Sequence, residues 1–375
     1  MNLTYRRQLA CSFALLITLP LMAATTRIWV MNYDSGTIDV IDPATNKIVQ
    51  TITGIPNPHA AVFSPDGKRA YVSSETTEHN LYVVDTKTGE TLNKVLLSGR
   101  PNLPAITKDG RTVAVCIREP GPPVPIGNGP LHNFHKDNTA RVATKPGAVD
   151  FIDTESLAVT TVPTKVSLHD CYATPDGNYI VAGSSEGKFA EVFDVQTKKP
   201  VWEVDFDRGV LTMSFEVGPD GSTRRMFVNL DKWRGFAVVD FATHKEVDRI
   251  RFPDEPPELH SNDPHFGPND THGNIISSDG KTLWIGVIGG NEVFAYSLPD
   301  LKLKGYVPVP VLQEPGNPSA GGVPSWLAIT PDGRKLYVAL QGSNSISEID
   351  TKRMKEVARI LVGKDPKRLA TFVAP

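Results

Sequence analysis

Only three cysteines, 8% aromatics and no surplus of basic charge narrow the possibilities before any motif is considered. With 39 Lys and Arg against 42 Asp and Glu, the net charge is −3. No field therefore draws the chain to a phosphate backbone, and nucleic acid is not expected as a partner. Apolar residues at 40% and charged residues at 22% exclude disorder over most of the 375 residues. Beyond residue 22 no apolar run is long enough to span a bilayer. The sequence has no Gly-rich phosphate loop, no nucleophile elbow, no haem-attachment Cys-x-x-Cys-His and no zinc-type cysteine pairs. Turn formers are plentiful instead: 31 Pro and 30 Gly suit many short strands joined by turns.

Residues 1–24 read as an export signal, with Arg6 and Arg7, an apolar stretch from Leu9 to Met22, and small Ala23 and Ala24 before Thr25. Arg6-Arg7 also resembles half of a twin-arginine signal. Cleavage removes both arginines, taking the net charge from −3 to −5, and implies a periplasmic or secreted protein with no membrane span. It also removes Cys11 and leaves Cys116 and Cys171, each inside a strand-like run. Two separately buried thiols are the expectation, with a disulfide as the alternative in an oxidising compartment.

An Asp-Gly turn recurs in one setting at Asp66, Asp109, Asp176, Asp220, Asp279 and Asp332, usually after Pro or Ser and before a short apolar run. The spacings are 43, 67, 44, 59 and 53 residues. Taking 50 surplus residues from the 351 beyond the leader leaves 301, or seven units of 43. A second marker also counts seven: apolar runs ending at Asp42, Asp85, Asp153, Asp194, Asp240, Ser297 and Asp350. Four short strands per unit of this length predict an all-β, seven-bladed β-propeller over residues 25–375. The first unit opens on what reads as a second strand, Arg27-Ile-Trp-Val, and Pro366 to Phe372 matches the missing inner strand. The C-terminus is therefore expected to close the ring.

Runs such as Arg69-Ala-Tyr-Val-Ser, Lys335-Leu-Tyr-Val-Ala and Ile38-Asp-Val-Ile-Asp resemble the Tyr-Val-Thr-Asn (YVTN) family of bacterial propellers along nearly the whole mature chain. The resemblance implies the fold. It leaves function open, because that family and its relatives include binding proteins, haem carriers, lactonases and copper enzymes.

In a four-stranded meander, the second-to-third loops and the links between blades share the face opposite the Asp-Gly turns. The three long insertions, residues 119–147, 253–270 and 308–323, all fall there, so that face is expected to carry the function and its small-molecule ligand or substrate. The inner strands begin on the same face, beside the channel. Seven residues before each Asp-Gly aspartate stand His59, Asn102, His169, Met213, His272 and Ser325, with Lys367 in the matching place of the closing strand. Three imidazoles thus occupy alternate blades and point toward one axis. His132, His135, Glu258, His260, Asp263, His265 and Asp270 lie in the insertions, and only His244 of the nine histidines falls on the other side.

Such a cluster suits a single copper or zinc ion, or a haem-type cofactor, held by His59, His169 and His272 with His132, His135, His260 or His265 completing the set. Hydrogen bonds from the inner-strand histidines to a neighbouring blade are the structural alternative. Glu75, Arg118, Lys188, Lys232, Trp233, Arg234 and Trp326 on the same face could instead bind an anionic or aromatic molecule. Thr271-His272-Gly273 looks like the Pro-His-Gly signature of the copper-binding propellers of nitrous oxide reductase and thiocyanate-oxidising enzymes. That resemblance implies a metal-dependent periplasmic protein, with an oxidoreductase as one form of it, carried by His59, His169 and His272. The haem-binding propellers of periplasmic nitrite reductase, similar in fold, imply a non-catalytic binding protein instead. A lactonase-like, metal-assisted hydrolase is a third alternative.

Overall fold

The computed structural model describes residues 25–123, 145–254, 256–259, 266–267, 269–309 and 322–374. Its strands form seven separate four-stranded antiparallel sheets, the blades of a propeller, and two three-residue 3-10 turns are the helical elements among the described residues. Six blades are continuous in sequence. The blade at the N-terminus combines Thr25–Asn32, Thr37–Asp42 and Lys47–Ile52 with the closing strand Pro366–Ala374 as its innermost member. The closing strand pairs with the first strand from Thr25↔Ala374 to Asn32↔Pro366, so C-terminal closure is as the repeat pattern predicts.

The Asp-Gly turns owe their recurrence to one hydrogen-bonded device. In the second blade, Ser64 Oγ donates to Asp66 Oδ1 at 2.6 Å while the same carboxylate accepts the Lys68 amide at 3.1 Å. Gly67 closes the turn at φ +67°, a conformation that a side chain disfavours. A hydroxyl two residues before the aspartate repeats this at Thr107, Thr174, Ser277 and Thr330. The Asp220 turn has Gly218 in that place and uses Ser222 instead.

Within each blade the two middle strands are almost wholly buried, and the apolar core lies between neighbouring blades. Trp29, Met31, Ile38 and Val40 of the first blade, for instance, pack on Ala61, Val72 and Tyr82 of the second. Outer strands are mostly exposed with a few inward residues, as in Thr91–Leu96, where Val95 is the one buried residue.

Cys116 and Cys171 are disulfide-bonded, with Cα atoms 5.4 Å apart, which corrects the expectation of two separate thiols. One lies on Thr112–Pro120 of the third blade and the other opens Cys171–Ala173 of the fourth. They are far apart in sequence, but their strands meet where these blades converge on the axis, and a Leu103↔Asp170 backbone bridge holds the same junction.

Candidate functional site

The starts of the inner strands converge at the channel mouth, and there the side chains divide into two connected groups. The first centres on Glu75, just after the second blade's Arg69–Ser74 strand. This buried carboxylate meets three cations: Lys367 Nζ at 3.1 Å, Arg118 at 3.1 Å and Arg100 at 3.2 Å. Lys367 also lies over the Tyr33 ring, 4.1 Å from its centroid. Burial alone would raise the Glu75 carboxyl, but Lys367, His59, Arg100 and Arg118 outweigh it and hold the group well below the usual carboxylate range. Glu119 adds a second acid, meeting Arg100 from the exposed rim at 3.1 Å.

The second group centres on Arg368, the next residue of the closing strand. Its guanidinium crosses the channel to Asp170, at 2.8 Å from Nη2 and 3.3 Å from Nη1. Nη2 also donates to Asn102 Oδ1 and Nε to His59 Nε2, both at 3.3 Å, and the plane lies 3.9 Å over the Trp326 ring. One buried cation thereby ties the closing strand to four other blades. Asp170 also accepts the Tyr172 hydroxyl at 3.0 Å. Against the cost of burial, Arg368 and then His169 hold Asp170 well below its ordinary value.

The three histidines expected to share an ion are separated by these charges. His169 and His272 adjoin, their ring centroids 5.9 Å apart and nearly perpendicular. Each donates from Nδ1 to the neighbouring backbone, His169 to Leu211 O at 3.0 Å and His272 to Ser325 O at 2.7 Å. Ser325 continues the pattern to Lys367 O at 3.2 Å. Leu211 takes the place expected of Met213 in this ring of carbonyls, because the strand is irregular between Val210 and Met213.

His59 belongs to Arg368 instead. Accepting at Nε2 puts its proton on Nδ1, which has no partner among the described residues. Burial first, and then the nearby guanidinium, push His59 well below its ordinary value and His272 down to about 3. Of the three, His59 faces the Arg368 guanidinium, while His169 and His272 adjoin one another. Among the described residues no three His, Cys, Asp or Glu side chains are grouped as a metal site requires. His132, His135, His260 and His265 lie outside the described residues, as do Asp263 and the Glu258 side chain.

The remaining candidates scatter. Arg234 is consumed in a buried ion pair with Glu292, Trp233 lies under Arg208 and Arg249, and Lys188 and Lys232 are exposed. Asp270 accepts the Lys232 and Gly267 amides. His244 stacks on Trp202 at 4.3 Å, away from the channel. Sequence reasoning placed Glu75, Arg118, Trp326 and Lys367 but passed over Arg100, Asp170 and Arg368. For the last two, the available signal was their position: each directly follows a channel-ring residue, His169 and Lys367.

No protein-family model matches the chain, and no curated protein does. Solved structures share its fold. Kuenenia stuttgartiensis hydrazine synthase matches at 17% identity and a TM-score of 0.63, over 84% of this chain and 90% of that one. The dihydro-heme d1 dehydrogenase NirN, in complex with DHE, matches at 15% and 0.60, over 92% and 74%. The periplasmic gluconolactonase PpgL of Pseudomonas aeruginosa matches at 17% and 0.67, over 93% and 99%. At these identities the likeness establishes the seven-bladed propeller and nothing finer.

Proposed function

We propose that this chain is an exported propeller that binds a small anionic molecule at the channel mouth. The observation that carries this reading is the sharing of one buried carboxylate, Glu75, by Lys367, Arg100 and Arg118. A guanidinium has five donors, and among the described residues Arg118 spends one of them on Glu75, leaving a fork suited to a carboxylate or phosphate. Binding is favoured over hydrolysis because a His272 near 3 is a weak base at neutral pH, and His59 is likewise held low. Export is supported by the leader pattern, by the Cys116–Cys171 bond and by the periplasmic setting that the PpgL name states for a protein of this fold.

Calorimetric titration with citrate as a polyanion probe tests the reading. The native protein is expected to bind it, Arg118→Ala to weaken binding about tenfold, the loss of one charge-assisted contact, and His244→Ala to change nothing. Absence of binding, or equal binding by Arg118→Ala, would overturn the proposal. Opening of gluconolactone, followed by acid release, should not exceed the uncatalysed rate.

One observation favours a second reading, a metal ion or metallocofactor on the same face. The carbonyls that accept from His169 Nδ1 and His272 Nδ1 fix both rings with Nε2 as the remaining nitrogen, the outer-shell arrangement typical of ligating histidines. Further ligands would then come from His132, His135, His260 or His265. Metal analysis and an absorption spectrum of protein purified from periplasm distinguish this reading, because copper, zinc, haem and a metal-free chain give different results.

A further inference from the structure

Resting on the anion-binding reading, we propose that the ligand is a planar aromatic acid rather than a saturated one such as a sugar acid. The inference comes from which side chains at the mouth reach the surface. Glu75, Asp170 and Arg368 are 2%, 0% and 3% exposed, so they organise the site from beneath. Among the described residues, those left in view are Arg100 and Arg118, at 12% and 21%, with the Lys367 ammonium buried beneath them, together with part-buried His169, His272 and Trp326.

Those last three form a continuous wall of rings. His169 meets His272 edge to face at 5.9 Å, and His272 meets Trp326 at 5.6 Å with a 54° tilt. The His272 ring is held neutral, so it offers a π-surface instead of a fourth charge. Both imidazole Nδ1 atoms are already committed to backbone carbonyls and Arg368 braces one side of the indole, so the wall is rigid before any ligand arrives. Among the described channel residues, the neutral groups that could read the hydroxyls of a saturated acid are buried, as in Asn102 and Ser325, or committed, as the Tyr172 hydroxyl is to Asp170. Cations on one side and rings on the other match a flat body carrying carboxylates.

The test compares two probes of equal charge and similar size, benzene-1,3,5-tricarboxylate and cis-cyclohexane-1,3,5-tricarboxylate, by calorimetry on the mature protein. The aromatic acid is expected to bind about tenfold more tightly, and Trp326→Leu to remove most of that preference while both probes still bind. Equal affinities for the native protein would overturn this inference and leave the anion reading standing. Failure of both probes, and of citrate, would overturn the anion reading itself. Should Trp326→Leu fold poorly, perturbation of the benzene absorption band on binding replaces it: a band unchanged between free and bound acid would count against ring contact.

Discussion

Single residues at the channel mouth show how burial sets charge. Asp365 lies just before the closing strand, where burial first, with Asp34 and Glu75 adding to it against Lys367, raises its carboxyl from 3.8 to about 6. Its folded state holds a proton more firmly than the unfolded chain does. The protonated form therefore contributes its full stabilisation below about pH 4, and this contribution is lost as the pH rises through 6. Asp365→Asn keeps an oxygen for the 2.9 Å bond from Gln341 while removing the charge. It should unfold later than the native chain at pH 8, by roughly 1–2 kcal/mol in urea titrations, and match it at pH 4. A destabilised variant at pH 8 would show that the charged form is the favoured one. The histidines of the site were legible in the sequence because a 43-residue repeat fixes the register of His59, His169 and His272. The partners of Arg368 were not legible, because a long side chain crossing the channel can meet any of several blades, and register does not say which.

Strands and turns were the most legible level. Each third strand that ends in aspartate, and each Asp-Gly turn, is a local device whose hydrogen bonds lie within a few residues, so the sequence carries it directly. The disulfide was misjudged because it depends on distance between two strands of different blades, which local pattern does not report. It spans 55 residues and joins the strand carrying Arg118 to the strand that follows Asp170. Closing a loop of that length restricts the unfolded chain by about 4 kcal/mol. Replacing both cysteines with Ala should lower the stability by a comparable amount in denaturant, with the propeller's circular dichroism spectrum retained at 25 °C. Two free thiols titrating in unfolded, non-reduced native protein would show that the bond does not form.

For the whole molecule, a propeller separates folding from function by face. The turns that fix each blade lie at one end of the channel, and the cations and imidazoles described above lie at the other. The third blade offers a direct check, because residues 124–144 stand between two strands that already pair with each other. Thr112–Pro120 and Gly147–Asp153 match from Ile117↔Ala148 to Thr112↔Asp153, and the first of them also pairs with the inner strand Gly99–Ile106. Pairing of this extent needs no contribution from the connection, and shortening a surface loop changes closure entropy only slowly with length. Replacing residues 122–145 with a tight Gly-containing turn should therefore leave the melting temperature within about 2 °C of the native value, since fewer than roughly 1 kcal/mol is at stake. Citrate affinity should fall if the proposed anion site includes this connection, which begins a few residues after Arg118 in the chain. Loss of folding would mean that the insertion belongs to the core of the blade. Unchanged affinity would confine the ligand to residues nearer the axis, Lys367, Arg100 and Arg118 themselves.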